Sequence, residues 1–347
     1  MTAEKLSQIG ELPLLEQIRK DFSKKSKNVL VGIGDDAAVV EPINKYLLAT
    51  TDMMVEGIHF DLRFVTSYQL GFKLISVNVS DICAMGGEPY YLLLNIAINR
   101  NATKRFLDMF FDGVKDAISV YDTGLIGGDL SSSNKGMSIS ATVIGYADKY
   151  IRRSGAKMGD KIYVTGSLGD SACGLELLKK IKKPVPLRRH LSPSIEKGKG
   201  GGVKTLCFEY GLSKKTIEPL LRRHLLPEAR NPKDFVHAAT SMIDISDGLL
   251  IDMSRLCSES KAGARIYEEK IPMSPEMKKA AEKLGISPIK LALSGGEDYE
   301  LLFTAPAGRK IKAISIGDIA ESKKVIVDKK GREKPFSAEG YQHFGRL

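Results

Sequence analysis

No apolar run in this chain approaches the ~20 residues that a membrane-spanning helix needs. The first twenty residues are amphipathic and carry Glu4, Glu11 and Glu16, which suits neither a signal peptide nor an anchor. The expectation is a cytoplasmic protein. Cysteine is scarce and scattered: Cys83, Cys173, Cys207 and Cys257 form no Cys-x-x-Cys pair, so a structural zinc site or disulfide scaffold is disfavoured and buried, reduced thiols are expected. The common nucleotide motifs are missing too. No glycine-rich loop ends in Gly-Lys-Ser or Gly-Lys-Thr, no protein-kinase set occurs, and neither a Gly-x-Gly-x-x-Gly turn nor a Gly-x-Ser-x-Gly elbow follows a strand.

What is present is positive charge, +10 net over 347 residues. It concentrates at residues 179–183, 188–190, 197–204 and 222–224. Such a balance suits nucleic acid or an enzyme that handles polyanionic phosphates, while a charge run alone is more often a solvated face. Nucleic-acid binding predicts aromatics interleaved with the lysines for base stacking. Only Phe208 and Tyr210 follow the run, so no specific nucleic acid is expected.

Hydrophobic periodicity gives two mixed α/β domains, residues 1–150 and 151–347. In the first, 46–51 and 91–98 read as strands and 138–146 as a half-buried strand. Residues 68–85 form a helix stopped by Gly86-Gly87, and 103–121 an amphipathic helix with Phe106, Phe110, Val114, Ala117 and Tyr121 on one face. In the second, strand 161–165, turn 166–169 and helix 170–180 are followed by a basic excursion at 184–211 without periodicity. Helix 232–240, strand 242–245, helix 248–260, strands 264–267, 291–293 and 299–304, and a hairpin from 323–327 complete the expectation. A short echo, Arg-His-Leu at 189–191 and again at 223–225, is too brief to be a domain repeat.

The chemistry lies in aspartates beside glycines. They are Gly34-Asp35-Asp36, Thr50-Thr51-Asp52, Ser80-Asp81, Gly127-Gly128-Asp129, Asp244-Ile245-Ser246-Asp247-Gly248 and Gly295-Gly296-Glu297-Asp298. Any one of them is a turn or cap. As a set they say more, because Asp52 and Asp244 follow apolar runs directly. Asp81 sits in an otherwise buried helix, where an unpaired carboxylate is costly. Carboxylates, phosphates and glycine-assisted backbone approach together call for Mg²⁺, whose preferred ligands are hard oxygens.

These segments, GIGDDAAVV, TTDMMVEGIHF, VNVSDICAMGGEP, LIGGDLSSS, RRHLLPEARNP, IDISDGLLIDMSRL, LSGGEDYELLFT and EGYQHF, run in order nearly end to end. In them the chain resembles the thiamine-monophosphate kinase family of the aminoimidazole ribonucleotide synthetase-related superfamily. The resemblance implies a two-domain α/β fold, mixed α+β, with an N-terminal sheet domain that dimerises and a C-terminal α/β domain. It implies transfer of the ATP γ-phosphate to thiamine monophosphate with several Mg²⁺ ions and no covalent nucleophile. Carried over by motif, Asp36, Thr50, Thr51, Asp52, Asp81, Asp129, Asp244 and Asp247 would bind metal. Gly128, Asp129, Arg153 and Ser246 would contact ATP, and His59, Glu297 and Tyr341 the thiamine phosphate. Spacing alone does not separate Arg153 from Arg152.

The alternatives are another ATP-using synthetase of that superfamily, of purine-pathway type, and a nucleotide- or RNA-binding protein. The selenophosphate-synthetase reading needs a reactive cysteine before Cys83, and the hydrogenase-maturation reading a C-terminal cysteine. Neither is present.

Overall fold

The computed structural model describes residues 4–22, 27–34, 37–181, 184–187 and 201–342, with backbone alone for 201 and 202. Two compact units emerge. One holds the described residues of Met1–Ile82, Gly87–Lys149 and Lys183–Lys199, the other those of Cys83–Gly86, Tyr150–Lys182 and Gly200–Leu347. Asp36 lies outside the described residues, as do residues 188–200 of the basic excursion.

The first unit begins with helices α1 (Leu6–Ile9) and α2 (Glu11–Asp21) and a small ribbon, β1 (Val29–Val31) with β2 (Val39–Val40). Its framework is β3 (Tyr46–Val55), α3 (Ser67–Ala84), β4 (Glu88–Asn99), α4 (Lys104–Tyr121), β5 (Gly124–Ser133) and β6 (Ser138–Ala147). The four longer strands form one sheet in the order β3-β6-β4-β5. Helix α3 opens with a reciprocal cap: Thr66 N donates to Gln69 Oε1 at 2.9 Å and Gln69 N to Thr66 Oγ1 at 3.3 Å. It is buried on every side, including Ser67, Gln69, Lys73, Ser76, Asn78 and Ser80. Gly71 and Gly113 let α3 and α4 touch, since a Cβ on Gly113 would lie 1.9 Å from the Tyr68 carbonyl oxygen. Thr103 caps α4, whose buried stripe is Leu107, Phe110, Phe111, Val114 and Ala117. Gln69 Nε2 also donates to the Val185 carbonyl at 2.7 Å and to that of Leu187 at 3.1 Å, tying residues 184–187 to this helix.

The second unit runs β7 (Lys161–Val164), α5 (Asp170–Ile181), α6 (Gly201–Tyr210), α7 (Lys214–Leu225), β8 (Ser241–Asp244), α8 (Leu249–Ser260), β9 (Gly263–Tyr267), α9 (Pro275–Leu284), α10 (Pro288–Ser294), β10 (Leu301–Ala305), β11 (Ile314–Ala320), β12 (Lys324–Val327) and β13 (Glu333–Pro335). Its seven strands order as β13-β12-β9-β11-β7-β10-β8, antiparallel except for β12 on β9. Phe303 stacks between Tyr163, at 5.2 Å, and Phe235, at 4.2 Å, and anchors one side of the core.

Three local expectations are corrected. Residues 291–293 belong to helix α10, because Ser287-Pro288 starts a helix that these residues continue. Residues 232–240 form successive turns, with Val236 N bonded to the Pro232 carbonyl and Ala239 N to that of Phe235, instead of a continuous helix. The end of the basic excursion is the helix α6, which starts at Gly201 despite its glycines. Of the cysteines, Cys83, Cys173 and Cys257 are buried, and burial pushes the Cys173 thiol up to about 12. Cys207 is half-buried. Among the described residues no helix is long and apolar enough to cross a membrane.

Candidate functional site

In the first unit the acids attach to the contact between β3 and α3. Thr50 Oγ1 donates to Asp81 Oδ2 at 2.7 Å, so the carboxylate within the buried helix is not left unpaired. Asn78, one turn earlier, accepts from Asp52 N at 2.9 Å and donates to the Leu74 carbonyl at 2.8 Å, locking strand to helix. Alternation along β3 sends Thr51 the other way. Its hydroxyl donates to the Ala141 carbonyl at 3.1 Å and accepts from Thr142 Oγ1 at 3.1 Å. Thr50 and Thr51, adjacent in sequence, therefore serve opposite faces.

Asp52 and Asp129 were expected where the chain turns, and both instead lie within strands, β3 and β5. Asp129 pairs with Asn95 and is exposed. In register it shares the row Met53–Ser140–Asn95–Asp129, next to the row Asp52–Ala141–Leu94–Gly128. The two aspartates are on opposite edge strands and in neighbouring rows, so this sheet does not bring them together. Gly128 has φ +152°, and a Cβ there would meet the Leu94 carbonyl oxygen at 1.9 Å, so no side chain fits. His59 closes the turn after β3: its Nδ1 accepts from Val55 N at 3.0 Å, which leaves the proton of a neutral ring on Nε2.

The second unit gathers its motifs more tightly. Asp244 is the buried last residue of β8, and the loop Ile245–Gly248 leads into α8. Fully buried Asp252, in the first turn of α8, takes the loop's backbone onto one oxygen. Its Oδ2 accepts from Ser246 N and Asp247 N at 3.1 Å each and from Gly248 N at 3.2 Å. Burial pushes its carboxyl up to about 6 against the pull of Arg255. Neither Asp252 nor Arg255 stood out in the sequence. The available signal was an acid four residues after a Ser-Asp-Gly loop, placed to collect the free N–H groups at a helix start.

The Gly-Gly-Glu-Asp segment folds onto the same loop. Glu297 N donates to the Ser246 carbonyl at 2.7 Å and Tyr299 N to that of Ile245 at 2.9 Å. Glu297 and Tyr299 hold left-handed backbone, φ +64° and +50°, a conformation that costs roughly 1 kcal/mol or more in non-glycine residues. Their side chains and those of their neighbours fan in different directions. Asp298 points inward and caps α5, its Oδ2 accepting from Gly169 N at 2.6 Å and its Oδ1 from Ser171 N at 3.1 Å. The expected cap of α5, Asp170 or Ser171, is thus supplied from a distant segment. Burial pushes the Asp298 carboxyl up to about 7, with Arg223 and the two N–H groups opposing.

Glu300 is fully buried and lies against two arginines. Arg230 donates Nε to Oε2 at 2.9 Å and Nη2 to Oε1 at 2.7 Å, Arg223 Nη2 bonds Oε1, and Thr165 Oγ1 donates to Oε2 at 2.5 Å. Burial opposes the charge, yet the arginine pair outweighs it and holds this carboxyl below the usual range. Glu297 itself meets His224, with Nδ1 to Oε2 at 3.2 Å.

Tyr341 N donates to the Asp247 carbonyl at 3.0 Å, so the C-terminal segment runs directly over the Ser-Asp-Gly loop. Gly340 makes this approach possible, since a Cβ there would lie 2.6 Å from the Asp247 carbonyl oxygen. Arg152 and Arg153 both have exposed side chains. Their carbonyls are taken by Met242 N and Ser260 Oγ. Among the described residues no group of three or more His, Cys, Asp or Glu side chains is assembled into a metal-holding cluster. The oxygens that do meet, at Thr50 and Asp81, are hydroxyl and carboxylate, of the hard type that suits Mg²⁺.

Residues 34–147 match the family described as AIR synthase related protein, N-terminal domain, and residues 157–322 match its C-terminal domain. A protein of Aquifex aeolicus named thiamine-monophosphate kinase is 36% identical over 98% of this chain and 100% of its own. One of Escherichia coli K12 with the same name is 34% identical over 86% and 83%. Among solved structures, "AaThiL complexed with AMPPCP and TMP" superposes with a TM-score of 0.71 at 34% identity, covering 99% of this chain and 100% of that one. A hydrogenase maturation protein HypE in complex with ATP shares the fold, with a TM-score of 0.66 at 17% identity over 96% of each chain.

Proposed function

This chain belongs to the thiamine-monophosphate kinase family, and from that premise we propose that it transfers the γ-phosphate of ATP to thiamine monophosphate. An oxygen of the acceptor phosphate bonds to Pγ, the bond from Pγ to the β-γ bridging oxygen breaks, and ADP leaves with thiamine diphosphate as product. The observation that carries the reading is identity of 36% over nearly the whole of both chains with a protein of that name. The nucleotide-analogue complex of a relative at 34% identity supports ATP as the phosphoryl donor.

The residues divide by what they offer. Gly128, Asp129, Arg153 and Ser246 contact ATP. Gly128 contributes bare backbone, Arg153 a guanidinium suited to two phosphate oxygens, and Ser246 a loop position fixed by Asp252. His59, Glu297 and Tyr341 line the acceptor site. Glu297 balances the cationic thiazolium and Tyr341 offers a ring face to it. No protein nucleophile takes part, so the chain acts by positioning and electrostatics.

Thr50, Thr51, Asp52, Asp81, Asp129, Asp244 and Asp247, with Asp36, offer only hydroxyl and carboxylate oxygens and would hold several Mg²⁺ ions, which when bound neutralise charge on the phosphates. A homodimer in the cytoplasm is the expected form, with neither a membrane nor a specific nucleic acid as partner. Incubation with ATP, Mg²⁺ and thiamine monophosphate should yield thiamine diphosphate. A folded, ATP-binding protein that makes none would overturn the reading.

A further inference from the structure

One contact at Glu297 has no part in the carried-over roles. His224, the second last residue of α7, is buried at 5% exposure. Its Nδ1 lies 3.2 Å from Glu297 Oε2 and 3.1 Å from Ser171 Oγ. A carboxylate only accepts, so the bond to Glu297 requires the proton on Nδ1. Ser171 is fully buried at the start of α5, and its own N–H is held by Asp298. The ring is thus wedged between the hydroxyl of one helix and a carboxylate on a loop.

Glu297 needs such a prop. Its backbone is left-handed, and while Asp298 caps a helix start and Glu300 pairs with the buried arginines, the Glu297 carboxylate meets His224. Asp298 and Glu300 fix the backbone on either side of Tyr299, but they do not set the χ angles of Glu297. His224, 3.2 Å from Oε2, bears on them directly.

We propose that His224 is a positioning residue that orients the Glu297 carboxylate toward the cationic acceptor, and so sets acceptor affinity without touching the reacting atoms. The inference rests on the reading of Glu297 as an acceptor contact. Ser171 backs the ring, so α5, α7 and the Glu297 loop act together in acceptor binding. An acidic group held in one orientation loses less freedom on binding, which lowers KM and leaves the transfer step unchanged.

The test is steady-state kinetics on the full-length enzyme with ATP, Mg²⁺ and thiamine monophosphate. His224→Phe, which keeps the volume and removes the donor, should raise KM for thiamine monophosphate about tenfold, with kcat and KM for ATP within about twofold of wild type. His224→Asn, which keeps an N–H near the Nδ1 position, should restore most of that loss. A general fall in kcat and rise in both KM values, with no rescue by Asn, would mean a merely structural histidine. Glu297→Gln separates the two layers. If it leaves the acceptor KM unchanged, the reading of Glu297 fails and takes the proposal with it. If it raises that KM while His224→Phe does not, the proposal alone fails.

Should His224→Phe not fold, nitrogen NMR of the wild type decides. The chain has five histidines, and the His224 signal is assigned by its loss in His224→Asn. Its Nδ1 resonance should move on saturation with thiamine monophosphate in wild type and stay in place in Glu297→Gln. A resonance indifferent to the ligand in both overturns the proposal.

Discussion

Arg255 Nη1 donates to Asp252 Oδ1 at 2.6 Å, across one turn of α8, and the same nitrogen reaches Asp247 Oδ2 at 2.7 Å. With its other oxygen Asp252 gathers the N–H groups of Ser246, Asp247 and Gly248. One buried carboxylate therefore sets both the backbone and a side chain of a loop that we propose contacts nucleotide and metal.

Asp252→Ala should unfasten that loop. Each buried donor left without an acceptor costs about 1–3 kcal/mol, so a lower urea midpoint is expected together with a higher KM for ATP. An unchanged midpoint and unchanged ATP KM would show that the loop holds its shape without this residue.

Asp298 makes a pH-dependent contribution to stability. Its carboxyl in the folded protein is pushed up to about 7, above the ~3.9 of an unfolded chain. A raised carboxyl favours the folded state fully below about pH 4, and the benefit is lost as pH rises through about 7. Wild type should lose stability relative to Asp298→Asn between pH 4 and 8, by on the order of 2–4 kcal/mol. Melting temperatures of both proteins across that range measure it. A constant offset would mean that Asp298 stays charged throughout.

Asp52→Asn and Asp129→Asn test the oxygen set of the first unit. Each should lower kcat by about a hundredfold or more with little change in melting temperature, because neither carboxylate lies in the core. Normal turnover in both variants would remove the assignment of these residues to metal.

Glu300→Gln leaves Arg223 and Arg230 facing a neutral amide. Removing one partner of a buried ion pair costs about 3–5 kcal/mol, so chemical denaturation should show a large loss, well beyond that of an exposed pair such as Lys27 with Asp122. A loss below about 1 kcal/mol would show that the arginines find solvent or other partners.

Two helices of the first unit, α3 and α4, are legible in the sequence. The stretch 68–85 and the stripe through Phe110, Val114 and Ala117 follow the 3.6-residue period, and the structure shows α3 and α4 there. Readings failed where a short segment was ambiguous. Residues 291–293 carry too few apolar positions to separate strand from helix, and the proline at 288 decides for helix. The glycines at 127 and 128 look like a turn, yet β4 pairs alongside and holds them in β5.

By itself the sequence determined the family and the mixed α/β class, because these rest on local periodicity and on residue types in order. It named Glu297 and Asp247. Only the tertiary structure separated Thr50 from Thr51, turned Asp298 and Glu300 inward to a helix start and an arginine pair, and set His224 against Glu297. The physical reason is that a carboxylate's role depends on which donors lie within about 3 Å of it. Those donors come from segments up to more than a hundred residues away, as with Gly169 and Asp298, separated by 129.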